Sequence, residues 1–597
     1  MTVTAEVPLI CSVAALCAVA LLLAYHERTG RHKGWIVTVA LAMGVGAVIT
    51  PLLFAPLIDP SQTIGHLLWV WSAAGGPTVH ASYRIDGLAV IGVAVGTGYA
   101  VAALLGARRM SRRHPLLPGA LLAIGLVFFA LMVTEDLIAA TIVLGILAAL
   151  TVLGTVAVAP LPATTRVAAY LAMGIEFFVL AALLVSRLGV TSYRFDSILP
   201  TAVSPGVLLA CSIGAALFAG LYPFVPWRYE RAQARAAERE PLRGVVTMLA
   251  GIGATIVLLR LIGAIRADVT TIALPHLSSE LRAALLVAIA ILVGIALVRR
   301  QGVPGRAAAI GGTLAVLVVI YPALHWSHLV LVAALTTVLY AGAVSLALPE
   351  QWDVVRHDIT LAAMWVAIAL GTPVAIAGAL FLLVTDALGA IAESVWMPPH
   401  RVYVAVIAGA TLSVSGLSVI GIGALAAGDP GAQGIALVTT FAIIALVLIH
   451  VGRRLNVAMV PLELDAAAAT VAFLLAILLA LLLSVPLYQG VTVVVGRPFD
   501  PDVTGAGLFV PAIAAVATLL VVVARSIRPF VPDLSPFVQQ LRGIIAVADP
   551  VPAGLAVFGA LDVAASRVSD AFAVVERRGG VWLATGLIVV LLVWSVR

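Results

Sequence analysis

The sequence predicts an all-α integral membrane protein with about 16–18 transmembrane helices. Hydrophobic residues make up 62% of the 597 positions, charged residues make up 10%, and the mean hydropathy is +1.16. No soluble domain can bury so much apolar surface, so the solvent of most of this chain is lipid. Apolar runs of about twenty residues also recur along the chain, separated by short charged loops.

The stretch Ala202–Leu261 shows the pattern most clearly. Two apolar runs, Gly206–Val225 and Gly244–Ile265, flank the loop Trp227–Arg243, which holds five Arg and three Glu in seventeen residues. Two oily segments divided by such a loop predict a transmembrane hairpin. The excess of arginine places this loop on the cytoplasmic side by the positive-inside rule.

The other apolar runs are interpreted in the same way. In chain order they are Val7–Tyr25, Trp35–Ile58, Leu88–Ala107, Leu116–Thr134, Leu137–Ala159, Val167–Ser186, Ala283–Val298, Ala307–Ala323, Leu329–Leu348, Ile359–Gly371, Val374–Val395, Val402–Leu425, Ile435–Val451, Ala467–Leu487, Leu508–Val523 and Val581–Val596. The tripeptide Gly371-Thr372-Pro373 is a turn signal between two of them. The loop Asp59–Asp86, with Trp69 and Trp71, predicts an interfacial hairpin outside.

The distribution of basic residues predicts the orientation. With both termini external, about 26 of the 34 Lys and Arg residues lie on the inner face. The densest basic cluster, Arg108–His114, is then cytoplasmic. We therefore expect a multi-pass protein of the inner (cytoplasmic) membrane. The formal charge of +6 is spread over short loops, so the lipid bilayer is an expected partner and nucleic acid is not.

The segment Ser526–Gly580 is too polar to span the bilayer. Its apolar residues recur at spacings of 3 and 4 from Phe558 to Val575, which predicts an amphipathic helix lying along the membrane or across neighbouring helices. An amphipathic linker without a special role is the alternative.

Four stretches carry a family resemblance. GAALFAGLYPFVPW (Gly214–Trp227), Pro241–Leu261, Asp353–Val395 and the early YRIDGLAV (Tyr83–Val90) resemble the antiporter-like membrane subunits of complex I, of multisubunit cation/proton antiporters and of membrane-bound hydrogenases. The resemblance implies two inverted five-helix repeats with broken helices, a C-terminal lateral helix, and a midplane chain of Glu, Lys and His that carries protons.

With this resemblance the chain divides into seven parts. They are N-terminal spans (1–115), a first repeat (116–265), an extra helix pair (266–327), a second repeat (328–452), C-terminal spans (453–525), the amphipathic lateral segment (526–580) and a last span (581–597). The extra pair has no counterpart in the family's layout.

The polar positions of the family are largely replaced in this chain. Where the resemblance implies Glu, Lys or His, the sequence has Gly145, Phe218, Thr247, Asp386, Ala390 and Ala426. Lys33, the one lysine, lies in a loop. Arginine cannot release its proton, so the 33 arginines do not replace lysine in a relay. We therefore expect a degenerate proton channel.

Three acids remain as candidates for proton transfer. Glu176 lies inside an apolar run, and Asp386 and Glu393 are seven residues apart, on the same side of a helix. The alternatives are a protonated structural Glu176 and a Glu393 at the membrane edge. Arg260 is expected to reach the outer surface without a partner. Glu135 and Asp136 are interpreted as solvated charges at a turn.

The sequence predicts no metal, cofactor or catalytic site. Cys11, Cys17 and Cys211 lack metal-binding spacing, and His325 and His328 have no third ligand nearby. There is also no Gly-rich nucleotide loop.

The function hypothesis is therefore an antiporter-like subunit of a proton- or cation-translocating respiratory or hydrogenase-type complex. Such a chain is a structural or coupling element, non-catalytic within a quinone-reductase-like or hydrogenase-like assembly, with other membrane subunits as partners. The alternative is a self-contained secondary transporter with its site around Glu176 and Asp386. A polyprenyl-linked transferase is disfavoured, because Asp59 and Asp86 are too few acids for the outer loop that it needs.

Overall fold

The computed structural model describes most of the chain up to residue 495. The described residues are 6–29, 34–55, 65–72, 78–107, 114, 116–159, 161–188, 190, 192–198, 203–225, 240–265, 269, 272–275, 277–298, 325–394, 399–457 and 462–495, with isolated positions within 312–319 and 509–545. Most of the predicted lateral segment 526–580, the last span and much of Ala307–Ala323 lie outside them.

Two compact units are present. One comprises residues 1–275 and 324–545, and the other comprises residues 276–323 and 546–597. In the second unit the described helix is Ser279–Val298. The Ser278 hydroxyl caps its first turn and accepts a hydrogen bond from the Leu281 amide at 3.2 Å. This helix contains the predicted apolar run Ala283–Val298, and the extra helix pair itself stays a prediction.

The first unit is built from helices and one small sheet. The helix Ser279–Val298 of the second unit is α9 in chain order. Before it, the helices of the first unit are α1 (Glu6–Thr29), α2 (Gly34–Phe54), α3 (Gly87–Ala107), α4 (Leu117–Val133), α5 (Leu137–Val158), α6 (Leu161–Ser186), α7 (Pro205–Ala219) and α8 (Glu240–Ile265). After it, they are α10 (Trp326–Ala347), α11 (Trp352–Leu370), α12 (Pro373–Ser394), α13 (Pro399–Leu425), α14 (Pro430–Val457) and α15 (Leu462–Val495). Eleven helices in the described ranges are long and apolar enough to cross a membrane, which confirms a multi-pass protein.

Helices α3 and α8 form the centre of this unit. Every residue of α3 except Gly106 is buried, and α8 is almost as enclosed. Their sequences are apolar on all sides, which is the pattern of a helix surrounded by other helices. Helix α3 packs against α2, α4, α8, α12 and α15. A polar side chain on either central helix therefore faces protein, and it needs a protein partner.

The predicted interfacial hairpin is a β-hairpin. Strands β1 (Gly65–Ser72) and β2 (Thr78–Arg84) pair antiparallel, with an irregularity between Leu67 and Trp69. Tyr83 of β2 bridges Thr134 at the end of α4. We call the side of the first unit that carries this sheet the hairpin face, and the opposite side the far face.

Two glycines with positive φ end helices of the first unit. Gly371, at φ 64°, ends α11 at the predicted turn before α12. Gly220, also at φ 64°, ends α7 after 15 residues. That length is about 22 Å, shorter than the roughly 30 Å hydrocarbon core. Helix α7 is therefore too short to cross the hydrocarbon core by itself; the broken span that the resemblance implies stays a prediction.

The crossing of α12 and α13 depends on two facing glycines. A Cβ atom on Gly378 would lie 2.8 Å from the carbonyl oxygen of Gly416 and 2.9 Å from the backbone nitrogen of Ile420. We expect Gly378→Ala to lower the free energy of unfolding by about 1–3 kcal/mol, because the two backbones must separate. Gly409→Ala in α13 is the matched control, since nothing lies within 4 Å of its Cβ position. Unfolding in detergent micelles measures both, and equal stabilities would contradict the prediction.

Candidate functional site

Asp386 lies in a buried cluster of ionisable side chains from three helices. The Nδ1 atom of His357 is 2.8 Å from its Oδ2 atom, and the Nε atom of Arg356 is 3.4 Å from Oδ1. The hydroxyl of Tyr99, in α3, donates to Oδ2 as well. We call Tyr99, Arg356, His357 and Asp386 the Asp386 cluster. The His357 and Asp386 side chains are only 3% and 8% exposed, so the cluster is enclosed by protein.

The charges of this cluster balance within the span. An unpaired charge at mid-membrane costs several kcal/mol, and the guanidinium of Arg356 supplies the counter-charge for Asp386. A carboxylate only accepts hydrogen bonds, so the contact with ionised Asp386 requires a proton on Nδ1 of His357. The ring edge of His357 packs against α8, where a Cβ on Gly244 would lie 2.8 Å from its Cδ2 atom.

A small cavity of about 30 Å³ lies beside the cluster. Its wall includes His357 and Asp358 from α11, and it extends to Phe218 and Gly220 at the C-terminal end of α7. Thr247 of α8 also lines it. A cavity of this size has room for one or two water molecules. His357 therefore belongs both to the Asp386 cluster and to the wall of this cavity. Phe218 and Thr247, two of the positions where the family has ionisable residues, line the same cavity.

Arg260 does not reach the outer surface without a partner, and that prediction was wrong. Its guanidinium donates to both carboxylate oxygens of Asp86, at 2.8 and 3.1 Å, and to the carbonyl oxygen of Met132 at 2.8 Å. The side chains of Arg260 and Asp86 are 5% and 4% exposed. Arg260 is in the enclosed helix α8 and Asp86 immediately precedes α3, so the central packing forces the two together.

The interpretation of Glu135 and Asp136 as solvated charges was also wrong. Glu135 is 2% exposed and Asp136 is fully buried. The guanidinium of Arg194 donates to Glu135 at 2.8 Å, and Arg84 lies 3.9 Å from the same carboxylate oxygen. The β-hairpin and the segment 192–198 cover this turn and remove it from solvent.

Asp136 is the N-cap of α5. Its side chain accepts from the amides of Ile138 and Ala139 at 2.9 and 3.1 Å, and from the amide of His80 at 3.0 Å. Burial raises the pKa of Asp136 above its usual range, although the three amide donors act in the opposite direction. Together with the Asp86–Arg260 pair, these contacts tie the hairpin face into a polar network.

Of the other two predicted candidates, Glu176 does not join the Asp386 cluster. Glu176 is exposed on the outer surface of α6, and it makes no hydrogen bond or ion pair with any described residue. Its neighbour Gly174 faces inward against Phe218. Glu393 is a residue of α12, but its side chain lies outside the described part of the chain.

The histidine pair at the start of α10 has a structural role. The Nε2 atom of His328 lies 2.9 Å from Asp429, and its Nδ1 atom accepts from the backbone amide of His325 at 3.4 Å. Within the described ranges, no group of three His, Cys, Asp or Glu side chains could hold a metal ion.

Sequence reasoning missed Arg356, His357 and Tyr99. The predicted span Ile359–Gly371 is shorter than the bilayer requires, whereas α11 begins seven residues earlier at Trp352. The short length of the predicted span was a signal that Arg356-His357-Asp358 belongs inside the helix. Tyr99 had no local signal, because a tyrosine in an apolar helix is ordinarily a packing residue.

Comparison with known proteins shows the fold. No family model and no curated protein matches the chain. It is similar to a chain of the Mrp complex from Dietzia sp. DQ12-45-1b, with a TM-score of 0.56 and 16% identity over 92% of this chain and 60% of that one. It is also similar to a chain of the membrane-bound sulfane sulfur reductase, an archaeal respiratory membrane complex, with a TM-score of 0.50 and 12% identity over 78% and 74%.

These likenesses confirm the predicted fold class, an all-α polytopic membrane protein. The chain spans 60% of the length of the Dietzia chain.

Proposed function

We propose that this chain is an antiporter-like integral subunit of a larger proton- or cation-translocating membrane complex of the respiratory or hydrogenase type. Its own contribution is structural or coupling rather than redox. The observation that carries the proposal is the Asp386 cluster, which is enclosed within the spans and lies beside a cavity that reaches the C-terminal end of α7. Ionisable groups inside a membrane protein are costly, and they mark ion or proton pathways.

The chemistry of the cluster is local. Asp386, His357 and Tyr99 can change protonation, whereas Arg356 keeps its charge. His357 can exchange a proton with water in the cavity and pass the charge change to Asp386 through their hydrogen bond. Glu393, seven residues further along α12, is the next acid on that side of the helix. Glycine, alanine and phenylalanine at the replaced family positions offer no continuation towards the first repeat.

Native purification tests this proposal. We expect the chain, extracted with a mild detergent at its native abundance, to co-purify with other membrane subunits as one stable assembly. A subunit shaped to pack against neighbours loses its lateral contacts when it is alone. Blue-native electrophoresis and mass spectrometry measure the assembly. Purification of the chain as a single species would contradict the proposal and favour the self-contained transporter.

We also propose that the hairpin face is external, with both termini outside the inner membrane. The basis is the alternation of the predicted spans in the sequence, which puts about 26 of the 34 Lys and Arg residues on the inner side when the termini are outside. In a chain whose native cysteines, Cys11, Cys17 and Cys211, are replaced, an impermeant maleimide should label Ser197→Cys from outside. Ser197 is exposed in the segment after α6. Ser111→Cys should react only after permeabilisation, and the reverse pattern would invert the orientation.

A further inference from the structure

Glu176 occupies the middle of a membrane-spanning helix. It is ten residues from Arg166 and ten from Ser186, near the two ends of α6. At the rise of an α-helix this is about 15 Å in each direction, half of the hydrocarbon thickness. The side chain of a glutamate extends only about 5 Å, so it cannot reach either interface.

The rest of the exposed surface around Glu176 is apolar or small. On α6 the exposed residues nearest to it are Ala169, Ala172, Val179, Leu180 and Leu183. The neighbouring helix α5 adds Ile142, Ile146 and Leu153. We call this two-helix face the Glu176 surface. Since side chains on a helix point towards its N-terminus, the carboxyl group lies over Ala172, where the small side chains allow another helix to approach closely.

Among the described residues, Glu176 differs from three buried acids that each have an arginine partner. Asp86 is matched by Arg260, Asp386 by Arg356, and Glu135 by Arg194. In the part of the chain that the structure describes, no cation is placed against Glu176. By charge complementarity the missing group is basic. A second copy related by a two-fold axis brings another acid to this surface, which is unfavourable.

We propose that the Glu176 surface docks a transmembrane helix of another subunit that places a basic side chain against Glu176 at the membrane midplane. This inference rests on the proposed function, because it requires a membrane partner. The acid then serves for recognition between subunits, and the apolar flanks exclude lipid from the pair. A docking role also accounts for the separation of Glu176 from the Asp386 cluster.

Site-specific photo-cross-linking in the intact assembly tests the proposal. A photoreactive amino acid replaces Ala172, one turn from Glu176, and a control replaces Phe441, which is exposed on α14. We expect the probe at 172 to form an adduct with a membrane helix of a different subunit, at a position within one turn of a Lys, Arg or His. Glu176→Arg should reduce this adduct by about tenfold or more, because it opposes like charges. Glu176→Gln should reduce it less, and neither change should affect adducts at 441.

The outcomes separate the two proposals. If the assembly purifies intact but the probe at 172 reacts only with lipid, with this chain or with a second copy, the docking proposal is wrong and the proposed function stands. An adduct that Glu176→Arg leaves unchanged, or a partner helix without a basic residue near the adduct, also overturns it. A charge swap is the complementary test, in which Glu176→Arg is combined with a change of the partner's basic residue to Glu. Recovery of the adduct in this combination supports the docking proposal. A chain that purifies alone contradicts the proposed function itself.

Discussion

Replacing Arg260 with methionine should lower the free energy of unfolding by about 3–5 kcal/mol, the cost of removing one member of a buried ion pair. Arg84, whose Nε atom is 4.0 Å from Asp86, is too far away to replace its hydrogen bonds. Asp86 would keep its carboxylate in a site that is 4% exposed, and the carbonyl oxygen of Met132 would lose its donor. Methionine retains most of the packing volume, so the loss reports the charge rather than a cavity. Unfolding in mixed detergent micelles, followed by tryptophan fluorescence, measures the change.

The double variant Asp86→Leu/Arg260→Met is the control. It removes both charges and leaves hydrophobic residues, a replacement that is often neutral for a buried pair. We expect it to recover most of the stability lost in the single variant. A single variant within about 1 kcal/mol of the parent, the usual value of an exposed salt bridge, would show that water reaches the pair.

The isolated chain should carry protons at less than about one hundredth of the rate of an intact antiporter-like subunit. Each missing proton-transfer group typically costs two to four orders of magnitude, and several of the matched positions hold Gly, Phe or Ala. The Asp386 cluster supplies titratable groups in one part of the chain only, while Glu176 points outward. Reconstitution in vesicles with a pH-sensitive dye and an imposed potential measures the rate.

Variants make this measurement decisive. Asp386→Asn and Glu176→Gln should change the slow background uptake little. Fast uptake by the parent chain that disappears in either variant would mean that a rebuilt relay passes through that residue, and the degenerate-channel hypothesis would then be wrong.

Local features of the fold could be predicted from the sequence. The apolar runs and the turn at Gly371 follow from segment length and turn chemistry, both of which are properties of neighbouring residues. The end of α7 at Gly220, inside the predicted run Gly206–Val225, does not follow from them. The interfacial hairpin before α3 was predicted too, although its β-structure was not. The start of α11 was misplaced, because Arg356 and His357 are polar and only tertiary packing encloses them.

The polar pairings and the direction in which each acid faces were decided by the tertiary structure. Tyr99 and Asp386 are 287 residues apart, and Asp86 and Arg260 are 174 apart, so no local pattern connects them. Helix α6 is apolar on nearly every side, so its sequence does not indicate which side faces the protein. The sequence by itself therefore determined that acids lie within the spans. Helix packing decided that Asp386 is enclosed beside Arg356 and His357, while Glu176 faces outward.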